Sequence, residues 1–93
     1  MQAGRLVFWL HAIRRMYERK IGVEDVRQVV ASGEVIEEYP DDTPYSGCLM
    51  LGWPDARPIH VVVAHSSLDR ETIVITVYEP DPARWEPCLR RRT

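Results

Sequence analysis

Apolar positions recur at a helical spacing through the first third of the chain and at every second residue through much of the rest. In LVFWLHAIRRMYERK they fall at 6, 9, 10, 13, 16 and 17, a helical period. The bulky run Leu6-Val7-Phe8-Trp9 fits equally well a short strand leading into a helix near His11. Ile21-Gly22 ends this segment, because glycine readily takes the left-handed conformation that follows a helix. VEDVRQVVASG predicts a second helix, with Glu24 and Asp25 in its first turn, Val23, Val26, Val29 and Val30 as its buried stripe, and Gly33 as its stop.

After Gly33 the period becomes two. EVIEEY, CLMLGW, PIHVVVAH and TIVITVY predict four strands, separated by PDDTPYSG, by Pro54-Asp55 and by HSSLDRE. The remainder, EPDPARWEPCLRRRT, carries three prolines and predicts an extended tail. The expectation is one α+β domain over residues 1–93: a helical region at 1–33, an antiparallel four-stranded sheet at 34–78, and a Pro/Arg tail at 79–93. Two N-terminal helices would pack on one face of the sheet.

Strand alternation then sorts the side chains. Ile59, Val61 and Val63 share one face with Ile73, Ile75 and Val77 of the last strand, the natural side for the helices. His60, Thr76 and Tyr78 fall on the other face, with His60 across from Thr76 or Tyr78. On the first helix, His11, Arg15 and Arg19 stand at i, i+4 and i+8 and line one side, distinct from an Ile13-Met16-Tyr17 face. The bland alternatives are a strand histidine bonded to a neighbouring hydroxyl and a solvated helix face.

Composition narrows the classes. Ninety-three residues suffice for one modest core. No apolar run approaches the ~20 residues that span a bilayer, and the first residues do not resemble a signal peptide, so a cytoplasmic protein is expected. The net charge of −2 is uneven, with +3 over residues 1–33, −5 over 34–45, −1 over 46–78 and +1 over 79–93. Arg14, Arg90, Arg91 and Arg92 are the basic positions that would meet a polyanion. Cys48 sits in the apolar run CLML and reads as a small buried hydrophobe; Cys88 receives no role. The histidines and cysteines have no metal-ligand spacing, and no cofactor motif is present.

Taken together, LHAIRRMYER, KIGVEDVRQVVASGEVIEEYPDDTPYSGCLMLG, RPIHVVV, ITVYEPDP and RW resemble the bacterial family known as domain of unknown function 4258. The resemblance runs over nearly all of residues 9–92, with YPDD, PIHVV, TVY and PxxW its most specific pieces. It departs in having Phe8-Trp9-Leu10 where many relatives carry Ser or Thr before the first histidine. The family is grouped with RelE-like and barnase-like ribonuclease toxins, so the resemblance implies a RelE-like fold and a metal-independent RNA-cleaving toxin. It implies RNA as substrate, and as partner a cognate antitoxin of zinc-finger or helix-turn-helix type. Carried over by position, the catalytic candidates are His11, Arg15, Arg19, His60, Thr76 and Tyr78. Histidine suits proton transfer near neutrality and arginine suits two phosphate oxygens at once. The rival expectation is a non-catalytic protein-binding module.

Overall fold

A computed structural model describes residues 5–41, 45–66 and 68–86. Its elements run β1 (Arg5–Phe8), α1 (Leu10–Arg19), α2 (Val23–Ser32), β2 (Glu34–Tyr39), β3 (Gly47–Gly52), β4 (Ile59–Ser66) and β5 (Glu71–Tyr78), with a 3-10 turn at Pro54–Ala56 between β3 and β4. The α+β class and the two helices agree with the sequence pattern. The sheet does not: it has five strands, in the order β1-β5-β4-β3-β2, and is mixed rather than antiparallel. β1 pairs with β5 in parallel, from Arg5 opposite Glu71 to Phe8 opposite Val74. Of the two readings of residues 6–9, the strand is therefore the right one, and residues 1–33 are not wholly helical.

The reason is local. Leu6 and Phe8 pack against the helix-side core, as alternate residues of a strand do. Trp9 is extended, its N–H donates to the Val74 carbonyl at 3.1 Å, and it serves as N-cap with no side-chain hydrogen bond. A salt bridge from Arg5 to Glu71 closes the start of the pair.

The helix-side core joins Ala12 and Met16 of α1, Ile21, and Val26, Val29 and Val30 of α2 to Cys48, Met50, Ile59, Val61, Val63, Val74 and Val77 of the sheet. Three expected members are elsewhere. Val23 at the start of α2 is exposed, and Ile13 and Tyr17 of α1 face solvent. Ile73 and Ile75 also leave the helix side, because a bulge between Val62 and Val63 lets Ile75 go unpaired. Val63 then faces Val74 and Ala64 faces Ile73, so the alternation inverts along the first half of β5. Beyond the bulge the phase is the expected one, with Val61 opposite Val77 and His60 opposite Tyr78.

Cys48 is buried, as its apolar neighbours predict. Burial pushes its thiol up from the ordinary value, and the nearby Glu38 charge adds to the shift, so it is a poor nucleophile. Cys88 lies outside the described residues.

Helix α2 sits close on the sheet because Gly52 carries no side chain. A Cβ there would lie 2.6 Å from Cγ2 of Val29. Gly52→Ala should therefore lower stability by about 1–3 kcal/mol, the usual cost of overpacking. Urea denaturation of the variant, alone and combined with Val29→Ala, checks the cause. Truncating Val29 should cost less in the Gly52→Ala background than in the wild type, because the crowded methyl has been removed.

Candidate functional site

β1 ends at Phe8, halfway along its neighbour, so among the described residues no strand pairs with residues 75–78 of β5 on that side. Helix α1 follows at once and packs along β5. At this edge a cleft of about 530 Å³ opens. One wall is the exposed row His11, Arg15 and Arg19 of α1. The opposite wall is Thr76 and Tyr78 of β5, continued by Glu79, Asp81, Arg84 and Trp85. Five of the six catalytic candidates thus meet in one place, from elements far apart in sequence.

The row on α1 is regular. Four residues of helix advance about 6 Å, so the three side chains are presented at even intervals along the cleft. Arg15 has a 3.6 Å contact with Glu18, an exposed i,i+3 pair of the kind that contributes little. Arg14, one position before Arg15, is exposed but is not among the lining residues, as expected from the helical turn. Arg90, Arg91 and Arg92 lie outside the described residues.

His60 is placed differently. It projects from the face opposite the helices, as alternation requires, but it is fully buried and does not line the cleft. Its cover is Trp85, whose ring meets the imidazole edge-on at 4.4 Å between centroids. Its Nδ1 lies 3.3 Å from the Tyr78 hydroxyl, and the two rings are also edge-on, at 5.2 Å. Histidine 60 therefore stands behind the cleft and touches it through Tyr78. Trp85, Leu49 and Leu51 form a second, smaller core on this face, with Ile36, Tyr39, Val62 and Tyr78 packed around it.

Sequence reasoning missed Trp85, Glu79, Asp81 and Arg84 as parts of the site. A signal existed: a large aromatic stands among prolines and charges in a segment otherwise too polar to need one. After β5 the chain turns at residues 82–84, where the Ala83 N–H donates to Asp81 Oδ1 at 2.9 Å, and this turn delivers Trp85 onto the sheet. Among the described residues, no group of three or more His, Cys, Asp or Glu is placed to hold a metal ion. Thr76 and Tyr78 offer hydroxyls, His11 an imidazole, and the arginines fixed cationic forks, a set suited to an anionic ligand with transferable protons.

A family model described as Domain of unknown function (DUF4258) matches residues 8–79. No curated protein and no solved structure matches the chain.

The second core makes a thermodynamic claim. Trp85→Ala should cost about 3–5 kcal/mol, as buried aromatic truncations do. His60→Ala should destabilise by about 2 kcal/mol, because it opens a void beneath Trp85. A double-mutant cycle read by urea denaturation should give a coupling of about 0.5–1.5 kcal/mol between the two rings. A cycle with no coupling would mean that Trp85 does not rest on His60 in solution.

Proposed function

The chain belongs to this family of unknown function, and from the cleft we propose that it is a metal-independent RNA-cleaving enzyme of the RelE-like type, the toxin of a bacterial type II toxin–antitoxin pair. The observation that carries the reading is the meeting of His11, Arg15 and Arg19 with Thr76 and Tyr78 across one cleft. Helices on one face of a largely antiparallel sheet support the RelE-like comparison, with the parallel β1 as a difference.

In the proposed reaction the 2′-hydroxyl of RNA attacks the adjacent phosphorus. The O2′–P bond forms, the P–O5′ bond breaks, and a 2′,3′-cyclic phosphate results. His11 takes the 2′-hydroxyl proton as the general base. Tyr78 gives its hydroxyl proton to the leaving 5′-oxygen, and exchange through water then carries the proton gained by His11 back to Tyr78. Arg15 and Arg19 bind the non-bridging oxygens, where charge grows in the transition state. Thr76 is a hydrogen-bond donor to the same phosphate. His60 contributes as a positioning group, holding the Tyr78 hydroxyl from behind.

A second reading, a non-catalytic protein-binding module, is favoured by Leu10, Ile13 and Tyr17. All three are exposed on one side of α1, away from the histidine–arginine row. The toxin reading gives that stripe to a protein antitoxin of the zinc-finger or helix-turn-helix kind.

The test is cleavage of mixed RNA by purified protein in the presence of a chelator, with the new ends analysed. Cyclic phosphate ends are expected, and His11→Ala should slow their formation by about 10²–10⁴-fold. Arg15→Ala should weaken RNA binding and reduce the slope of log affinity against log salt by about 0.7, the value for one phosphate of a single strand. A wild type that leaves RNA intact, or a His11→Ala protein that cleaves like the wild type, rules out this reading. Intact RNA together with partner capture abolished by Leu10→Asp would establish the binding module instead.

A further inference from the structure

Arg57 lies outside the cleft, yet it touches both of its walls. Its Nη2 donates to the Arg19 carbonyl at 2.6 Å and its Nη1 to the Lys20 carbonyl at 3.1 Å. These are the carbonyls of the last residue of α1 and of its C-cap, at the negative end of the helix dipole. On its third side, Nε of Arg57 lies 3.7 Å from Glu79 Oε1. Glu79 immediately follows Tyr78 and lines the cleft.

The aim of this side chain is set by an unusual turn. Asp55 and Ala56 both have positive φ, at 54° and 63°, a conformation that non-glycine residues rarely adopt. Such strain persists only where surrounding contacts hold it, and it is found at sites where backbone direction matters. Here it sends the chain from the buried Pro54 to Arg57, between the end of α1 and the start of β4.

The consequence is electrostatic. Arg19, Glu79 and Asp81 line the main cleft together and also share a neighbouring hollow of about 400 Å³ with Pro58, Pro80 and Pro82. Opposite charges in one cleft tend to pair, and a carboxylate on Arg19 would occupy the place of a phosphate. We propose that Arg57 is a positioning residue that holds Glu79 away from Arg19 and so keeps this end of the cleft free for an anionic ligand. The inference rests on the RNA-cleaving reading for the identity of that ligand. Arginine is needed because its planar fork serves two carbonyls and a carboxylate at once, whereas the lysine ammonium is a single point charge.

The test uses the full chain with Arg57→Gln, Arg57→Lys and the double variant Arg57→Gln/Glu79→Gln. In Arg57→Gln, Glu79 should move to Arg19, seen by NMR as a shift and slowed exchange of the Arg19 Nε–H that vanish in the double variant. Affinity for a single-stranded RNA oligonucleotide should fall about tenfold, as expected for loss of one charged hydrogen bond. The double variant should recover it, and Arg57→Lys should fall in between. A residue that only caps α1 would lower thermal stability alike in the single and double variants, with no recovery of affinity by Glu79→Gln. That result, or an Arg19 signal that does not change, overturns the proposal. If the wild type binds no RNA but the Arg19 signal behaves as described, the RNA reading falls and the positioning role stands.

Discussion

The termination of β1 at Phe8 governs the rest of the architecture. A strand continuing past this point would pair with residues 75–78 of β5 and seal the sheet edge. Instead Trp9 makes one last backbone hydrogen bond to Val74, and the chain turns into α1. The helix must bury Ala12 and Met16, and the edge of β5 is the apolar surface within reach. This fixes the rotation of α1 about its axis. With Ala12 and Met16 inward, the i, i+4, i+8 row of His11, Arg15 and Arg19 is turned to one flank, and Leu10, Ile13 and Tyr17 to the other. The cleft and the exposed stripe are thus two results of one packing choice.

The far face of the sheet depends on a second constraint, that a polar group removed from water must keep hydrogen-bonding partners. His60 lies in a valine-rich strand whose other side is helix core. Left open, its face would be an ordinary half-polar sheet surface. Closed by Trp85, it becomes a small core in which the imidazole has Tyr78 on one side and the indole on the other. A valine in its place would pack without polar cost, but the Tyr78 hydroxyl would lose its support from behind. The histidine makes the second core a polar anchor for the cleft wall.

Much of this was legible in the sequence where a pattern has a single physical meaning. The shift of hydrophobic period at Gly33 separates helices from sheet, and strand alternation places His60, Thr76 and Tyr78 on one face because the β4–β5 register after the bulge is the simple one. The family resemblance singled out His11, Arg15 and Arg19, and their i, i+4, i+8 spacing put them on one side of a helix. What escaped has identifiable causes. Leu6 through Leu10 is apolar without a break, so strand and helix periods fit it equally. The bulge at Ile75 leaves no mark in TIVITVY, whose aliphatic residues serve either face. Val23, Ile13 and Tyr17 satisfy the helical period, yet they overrun the narrow stripe that a ten-residue helix buries on this small sheet. Trp85 could not be placed because its contact partners, Leu49, Leu51 and His60, are far from it in sequence.

The arginines show why position in the fold outweighs position in the chain. Arg15, Arg19 and Arg57 have the same side chain and are all at least partly exposed. Arg15, with only an exposed contact to Glu18, and Arg19 present their forks to the cleft from α1, at a spacing that the helix itself sets. Arg57 has its fork occupied by two helix carbonyls and faces a carboxylate, so its charge is engaged within the protein. The cationic character of the cleft thus depends on which arginines are engaged and which are not. The net charge of −2 therefore says little about whether this cleft can hold an anion. The local field is set by the α1 row, by Asp81 and Arg84 on the opposite wall, and by where Glu79 is held.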